Sequence, residues 1–394
     1  MISARAPAIT APRGAGWGAI ALMCLSVVGP ASNYTNHGPL IPLIAADLAL
    51  TPAQAGLMST AFFTGLLLTA LVVGYRIDRD GGKRVLVPSY VVLVAGNLLL
   101  AVAPNLALLL FAKFVAGLGA GACFTAGLSY TRVMAPPGRR FLAQGLFGGT
   151  YLAISGSTVY VMPALAEPLG WRGAVLLAGL VIAAIGATYA LFAPRDPGIP
   201  TPGGVFYALR NRDAWILSFV HMCGFGLAMV MATWAAVFLV HDEGLPLQQA
   251  SLLGSLVLLG GVVWRPLGGA LVDRRVIDSL RLMRLALVVC IGGLIWLALG
   301  WGGLAGAVLG LLVVGLGTSL PYAAVFNGAA LSVPESPASA QALVGWAGAF
   351  LVLLGPPVVG ALLEATGSFA AGYVALAAFA VATLILTRWL ALGR

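Results

Sequence analysis

Long apolar runs, interrupted only by turn residues and charges, occupy most of this 394-residue sequence. A helix needs about 20 apolar residues to cross the hydrocarbon core of a bilayer, and twelve runs have about that length or more. Their approximate limits are 17–44, 51–75, 85–103, 105–131, 142–165, 172–193, 214–240, 248–272, 282–300, 303–331, 340–363 and 369–390. Charged residues make up only 8% of the chain, against about 25% in soluble proteins. The sequence therefore predicts an all-α membrane protein with twelve transmembrane helices, and excludes a soluble enzyme, a disordered chain or a nucleic-acid-binding protein.

Basic residues are concentrated at the termini and in alternate connections between these runs. These places hold eighteen of the 21 Lys and Arg residues, whereas the other connections hold one, Arg172. The interior groups are Arg76/Arg79/Lys83/Arg84, Arg132/Arg139/Arg140, Arg195/Arg210/Arg212 and Arg274/Arg275/Arg281/Arg284. By the positive-inside rule, these connections and both termini face the cytoplasm. The membrane is expected to be a bacterial inner membrane. The net charge of +9 thus reports topology, and no nucleic-acid partner is expected.

No pattern in the sequence predicts an enzyme, a cofactor or a metal site. Cys24, Cys123, Cys223 and Cys290 are scattered singly inside apolar runs, without metal-ligand spacing. A phosphate-binding loop of the Gly-x-x-x-x-Gly-Lys-Ser/Thr type is absent from the sequence. The sequence therefore gives no indication that ATP hydrolysis powers this protein.

One long polar connection, 194–213, divides the apolar runs into six and six. We therefore expect three units: a six-helix bundle in 1–193, a cytoplasmic linker in 194–213, and a second bundle in 214–394. The motif Gly74-x-x-x-Asp78-Arg79 recurs as Gly269-x-x-x-Asp273-Arg274, 195 residues later. Parallel repeats of this kind are typical of transporters that bind their substrate near the bilayer midplane, between the repeats.

The segment Gly74-Tyr-Arg-Ile-Asp78-Arg79-Asp-Gly-Gly-Lys83-Arg84 resembles the loop Gly-x-Leu-x-Asp-Arg-x-Gly-Arg-Lys of the major facilitator superfamily. The resemblance covers essentially the whole chain. It implies two pseudo-symmetric six-helix bundles and secondary transport by alternating access. It also implies a conformational clamp that closes the cytoplasmic side, in which Asp78 pairs with arginines and with the N-terminus of a neighbouring helix. The repeat of the motif supplies Asp273 and Arg274. The alternative is that Arg79, Lys83 and Arg84 only set topology.

Two further segments resemble the anion-transporting branches of the superfamily. One begins at Asn33-Tyr34 and includes Pro39 and Pro42; the other is Arg265-Pro-Leu-Gly-Gly, where nitrate-type porters place an anion-binding arginine. The fifth run lacks the family's antiporter signature, which argues against a drug/proton antiporter.

Ionisable residues inside the predicted spans are basic or imidazole: Lys113, Arg265, His37 and His221. All twelve acids fall at span ends or in connections. A cation within a membrane span is a functional hypothesis by default, and an anionic substrate would supply the missing counter-charge. Lys113 could instead reach the outer surface or bind main-chain carbonyls, and Arg265 could belong to the Asp273/Arg274 clamp.

Polar and aromatic residues near the predicted midplane complete the candidate site. The substrate-binding candidates are Lys113, Arg265, Asn33, Tyr34, Tyr151, Ser155, Tyr322, Asn327 and Trp346. His37 and His221 are proton-coupling candidates because an unperturbed imidazole titrates near neutral pH. For each aromatic residue and for both histidines, helix packing is the alternative role.

The expected function is transport of a small organic or inorganic anion across the lipid bilayer, coupled to protons or by exchange, by a monomer. The alternative within the superfamily is a multidrug or metabolite exporter. A receptor, a scaffold or a channel fits the twofold repeat less well.

Overall fold

A computed structural model describes residues 12–50, 52–198 and 204–391, and every regular element in these ranges is a helix. In these ranges nine helices are long and apolar enough to cross a membrane, or ten if the bent pair within 57–80 is one span. The helix Arg140–Phe192 contains two spans, and broken helices between Trp17 and Leu48 form another. The predicted twelve-helix architecture is confirmed. Arg5, Arg394 and residues 199–203 of the expected linker lie outside the described residues.

Spans 1 to 6 form the first half of the molecule. Span 1 comprises Trp17–Ser26, Val28–Thr35 and Ile41–Leu48, span 2 is Pro52–Asp80, span 3 is Gly82–Ala101 and span 4 is Leu106–Met134. Spans 5 and 6 share Arg140–Phe192 and separate at Gly170. Gly170 has φ of 67° and ψ of 168°. Residues that carry a side chain rarely adopt this backbone conformation, whereas glycine does so readily.

Spans 7 to 12 form the second half, after a short helix at Val205–Arg210. Span 7 comprises Arg212–His221, a π-helical turn at Met222–Gly226, and Leu227–His241. Span 8 comprises Leu247–Leu259 and Gly261–Asp273, and span 9 is Ser279–Ala298. Span 10 comprises Gly303–Ser319 and Tyr322–Ser332, span 11 is Pro337–Thr366, and span 12 is Phe369–Leu386 with a 3₁₀ turn at Thr387–Trp389.

Proline accounts for the breaks in span 1. Pro30 has no N–H to donate to the carbonyl of Ser26, and a new helix begins two residues before it, at Val28. A second break follows Thr35, where a 3₁₀ turn at Gly38–Leu40 carries Pro39 and the last helix carries Pro42 near its start. The chain thus crosses the bundle with free main-chain groups near its middle.

Glycines bring spans 2 and 4 into backbone contact. A Cβ atom on Gly121 would lie 2.5 Å from the carbonyl oxygen of Leu66, and one on Gly117 would overlap the carbonyl of Phe62. Small residues allow such close approach of membrane helices. This packing fixes the rotation of span 4, and with it the direction of Lys113.

Spans 5 and 8 join the two halves by the same device. A Cβ on Gly145 would overlap the carbonyl of Arg265, and one on Gly269 would overlap the carbonyl of Phe141. These contacts lie toward the end of the bundle that carries the four interior basic groups, which we call the basic end. The other end is called the opposite end.

Candidate functional site

A cavity of about 390 Å³ lies between the two halves. Spans 1, 2, 4 and 5 form one side of its wall, and spans 7, 8, 10 and 11 form the other. Its floor is formed by Arg265, Tyr322, His221 and Tyr151. Arg265 lies eight residues before the end of span 8 at Asp273, about 12 Å along a helix axis from the basic end.

The cavity opens at the opposite end of the bundle. Ser251, four residues after the start of span 8, is exposed and lines it. Tyr160, at the same end of span 5, also lines it and is 60% exposed. The structure therefore shows a conformation that is closed at the basic end and open at the other.

Arg265 lies on the cavity floor without a counter-ion among the described residues. Its Nη1 donates to the carbonyl oxygen of Gly148 at 2.9 Å, and its guanidinium carbon lies 4.2 Å from the centre of the Tyr322 ring. Its Nε and the hydroxyl of Tyr322 have no hydrogen-bond partner. In the described part of the chain, Arg265 forms no ion pair and the cavity wall has no Asp or Glu. Cation–π contact attracts a guanidinium, but it leaves the positive charge available to a ligand.

Four other predicted site residues line this cavity: Tyr34, Tyr151, Ser155 and His221. The Tyr34 ring packs edge-on against Tyr151 at 5.3 Å, and Ser155 donates its hydroxyl to the carbonyl of Ala31 at 2.9 Å. The His221 ring lies 4.7 Å from that of Phe326. The structure thus brings residues from spans 1, 5, 7, 8 and 10 to one cavity.

Lys113 does not face the cavity in this conformation, and the expectation that both intramembrane cations could share it is wrong here. Its side chain is completely buried, and Nζ donates to the carbonyl of Asn33 at 3.1 Å and to Oδ1 of Asn36 at 3.0 Å. The helix ends at Thr35, so the carbonyl of Asn33 is free to accept this bond. The ammonium also lies 4.7 Å from the centre of the Phe62 ring.

The remaining polar candidates of span 1 belong to this buried cluster and do not line the cavity. Asn97 donates to Oδ1 of Asn33 at 3.1 Å, and Nε2 of His37 lies 2.8 Å from the hydroxyl of Ser59. Asn36 and Asn97 were not predicted. Both are amides within apolar runs, and this is the sequence signal that could have indicated them.

Asn327 and Trp346 also lie away from the cavity wall. Asn327 donates to Oε1 of Gln144 at 2.7 Å, which joins spans 10 and 5 below the floor. The Trp346 ring packs edge-on against Phe350 at 4.4 Å. Neither side chain lines the cavity in this conformation.

Two aspartates hold the basic end closed, each at the N-terminus of a helix in the other half. Asp78 accepts from the main-chain N–H groups of Ala338 at 2.8 Å and Ser339 at 3.2 Å, and from the Ser339 hydroxyl at 3.1 Å. Asp273 accepts from the N–H groups of Phe141 at 3.2 Å and Leu142 at 2.7 Å. Carboxylates at helix N-termini are stabilised by free N–H groups and by the helix dipole. We call these two contacts the latches.

Glycine permits the first latch to form. A Cβ on Gly74 would lie 2.7 Å from the Cα of Ser339, so any side chain there would hold span 2 away from span 11. Gly269, the repeat of Gly74, occupies the corresponding place beside Phe141. The glycine and the aspartate of each motif thus serve one contact.

The basic residues of the motif are not partners of the latch carboxylates. Arg79 pairs with Asp80 at 3.0 Å, Lys83 donates to the carbonyl of Ala193, and Arg274 is the residue that follows span 8. No partner is recorded for Arg84 in the described part of the chain. Asp78 forms no ion pair at contact distance among the described residues, but the charge of Arg132 acts on its carboxylate. The N-terminus of span 11 is in direct contact with it.

Asp196, in the connection after span 6, is a functional candidate that the sequence did not indicate. Its carboxylate accepts from the N–H groups of Gly82 at 2.6 Å and Lys83 at 2.9 Å. Burial raises the pKa of this carboxyl, while the two N–H groups and the charge of Lys83 lower it. The connection is thereby fixed to the loop that carries the first latch.

Comparison with known proteins gives consistent matches over most of the chain. The family model described as Major Facilitator Superfamily matches residues 22–344. The "Probable sulfoacetate transporter SauU" of Cupriavidus necator is 28% identical, over 89% of this chain and 88% of that protein. The "Nitrite extrusion protein" of Bacillus subtilis is 23% identical, over 94% and 93%. The structure of the transporter FucP in the outward conformation superposes with a TM-score of 0.77 at 16% identity, over 94% of this chain and 98% of that one.

Proposed function

Because the chain belongs to the major facilitator superfamily, we propose that it is a secondary active transporter that carries a small anion across the bacterial inner membrane by alternating access. It is a multi-pass membrane protein and not an enzyme. Its partners are the anion, the lipid bilayer, and protons or a counter-anion. It works as a monomer, since each chain contains a complete cavity between its two halves.

The observation that carries this proposal is the unpaired Arg265 on the cavity floor. A buried guanidinium without an acidic partner is unfavourable, and a bound anion would supply the missing counter-charge. The names of two relatives point the same way, since sulfoacetate and nitrite are anions. A cationic drug would meet the same positive charge with no carboxylate on the described wall, which disfavours the exporter alternative.

In alternating access, the two halves of the molecule would move relative to each other around the cavity. We place the basic end in the cytoplasm because of the positive-inside rule, so the described conformation is open to the outside. The bundles 1–193 and 214–394 would rock about the site, and the linker 194–213 would hold them together. Release of both latches would open the cavity to the cytoplasm.

The cavity divides the candidate residues into two groups. Arg265 would bind the anion, and Tyr322, Tyr151, Tyr34 and Ser155 would surround it. The other candidates, Asn33, Lys113, Asn327 and Trp346, would support the helices that carry the site. Of the two histidines, His221 is placed to sense the ligand because it lines the floor.

Substitution of Arg265 tests the proposal. Loss of one charge-assisted contact of about 1.5–3 kcal/mol predicts 10- to 150-fold weaker anion binding by Arg265→Ala. Arg265→Lys should bind poorly as well, since a point charge cannot reproduce the planar fork of arginine. Purified variants would be compared by thermal shift against nitrate, hexanoate and sulfoacetate, with tetraethylammonium and glucose as cationic and neutral probes.

The matched control is Arg210→Ala, which removes an exposed arginine in the connection between the halves. It should bind every probe like the wild type. Wild-type anion binding by both Arg265 variants, or stabilisation by tetraethylammonium alone, would contradict the proposed function.

A further inference from the structure

Positive charge is confined to one level of the cavity. Arg265 is the single Lys or Arg on the wall among the described residues, and His221 lies at the same floor. Lys113, the other intramembrane cation, is turned into the first half and bound to Asn33 and Asn36. A ligand in this cavity therefore meets one permanent positive charge, at its inner end.

The level above the floor is apolar on both sides. It is formed by Phe63 and Leu66 of the first half and by Phe225, Met229, Leu258 and Leu259 of the second. Leu258 lies seven residues before Arg265, about two helical turns or 10 Å nearer the opening, so both share one face of span 8.

Two hydroxyl groups at this level already donate to main-chain carbonyls. Thr35 donates to the carbonyl of Ser155 at 2.7 Å, and Ser155 donates to the carbonyl of Ala31 at 2.9 Å. The hydroxyls of Tyr151 and Tyr322 have no hydrogen-bond partner among the described residues but lie at the floor, whereas Tyr160 lies toward the opening. A second charge on the ligand would therefore lie against apolar side chains two turns away from any cation on the described wall.

We infer that the transported solute is an organic monoanion with an apolar body, whose acid group binds Arg265 and whose body fills the apolar level above it. This inference rests on the proposed function and narrows its substrate class. A second buried charge without a partner is costly. A four-atom oxyanion such as nitrate would leave most of the 390 Å³ unfilled and would gain nothing from burial of apolar surface.

Four solutes that differ in one property each would test this inference. Hexanoate is the monoanion, adipate is the dianion of the same length, hexanamide is the neutral analogue and nitrate is the small anion. Binding would be measured by calorimetry on the full chain in lipid nanodiscs, with empty nanodiscs as the blank. Hexanoate should bind at least tenfold tighter than each of the others, and each methylene from butyrate to hexanoate should tighten binding about fourfold.

The outcomes separate the inference from the proposed function. Equal or tighter binding of nitrate, adipate or sulfoacetate, lost in Arg265→Ala, overturns the inference and leaves anion transport standing. Equal binding of hexanamide and hexanoate, unaffected by Arg265→Ala, overturns both. Failure of hexanoate and butyrate to bind also overturns the inference.

A second cation placed in the apolar level should reverse the preference. Leu258→Lys is expected to bind adipate at least tenfold tighter than the wild type does, and hexanoate more weakly. The control is Leu252→Lys, on the outer surface of the same span and 59% exposed. It should keep the wild-type preference, and an adipate preference in Leu252→Lys, or none in a folded Leu258→Lys, would contradict the inference.

Discussion

Lys113 lies within a membrane span, where a cation suggests a functional site, but its hydrogen bonds and its cation–π contact are with buried residues of the first half. Its ammonium has three neighbours that replace a counter-ion: the carbonyl of Asn33, the amide oxygen of Asn36 and the face of Phe62. Charge-assisted hydrogen bonds to amides and carbonyls are strong in a low-dielectric interior. The cluster therefore holds the broken middle of span 1 against spans 3 and 4.

Substitution of Lys113 should change stability more than affinity. Lys113→Met is expected to bind the anion within about threefold of the wild type, because the residue does not touch the cavity. It leaves the carbonyl of Asn33 and the amide oxygen of Asn36 without their donor, and a buried acceptor left unpaired costs about 1–3 kcal/mol. Thermal unfolding should therefore show a lower melting temperature for Lys113→Met than for the wild type. A more than tenfold loss of affinity in a stable Lys113→Met protein would show that Lys113 reaches the ligand in another conformation.

The two buried histidines are expected to differ in their effect on pH dependence. His221 lies on the cavity floor with Arg265 and Tyr322, so its protonation would add a positive charge beside the anion and strengthen binding as pH falls. His221→Gln should remove this dependence, because the described part of the cavity wall carries no other imidazole. His37 is off the wall and bonded to Ser59, and His37→Gln should keep the wild-type profile. Uptake into proteoliposomes at fixed membrane potential would distinguish them, and the reverse result would assign proton coupling to His37.

At the scale of the helices, the sequence predicted number and limits well because both depend on local properties. Apolar runs define the spans, and proline and glycine define breaks at Pro30, Pro321 and Gly170. The π-helical turn at Met222–Gly226 was not predicted, since no residue pattern marks it. The facing of each helix depends on contacts with other spans, and this is why Lys113, Asn327 and Trp346 were placed on a cavity that they do not line.

The glycine contact between spans 5 and 8 gives a prediction for these elements. Gly145→Ala would place a methyl group against the carbonyl of Arg265, so the two spans could not approach as they do here. We expect a lower melting temperature and a smaller fraction of molecules closed at the basic end. Gly292→Ala in span 9 is the matched control, because a Cβ there meets no atom within 4 Å, and alanine favours a helix by up to about 1 kcal/mol. Equal melting temperatures for the two variants would contradict this account.

At the scale of the whole molecule, the two latches determine which end of the cavity is closed. They are related by the sequence repeat, and each joins an acid of one half to a helix N-terminus of the other: Asp78 to span 11 and Asp273 to span 5. An anion at Arg265 touches a wall built from both halves. Ligand binding and the latches therefore both affect the movement of one half relative to the other, the ligand at the cavity floor and the latches at the basic end.

Weakening one latch should shift the conformational equilibrium while leaving the binding site intact. Asp78→Asn removes a charge that accepts from two N–H groups and a hydroxyl at the start of span 11. A loss of about 1.4 kcal/mol changes the ratio of conformations tenfold, and apparent affinity falls only by the fraction of binding-competent molecules. Distance measurements between spin labels at the opposite end should show a larger closed population, with anion affinity reduced only a few-fold. Asp80→Asn is the control, since Asp80 pairs with an exposed Arg79 and should leave the populations unchanged. Unchanged label distances in Asp78→Asn would show that glycine packing alone keeps the basic end closed.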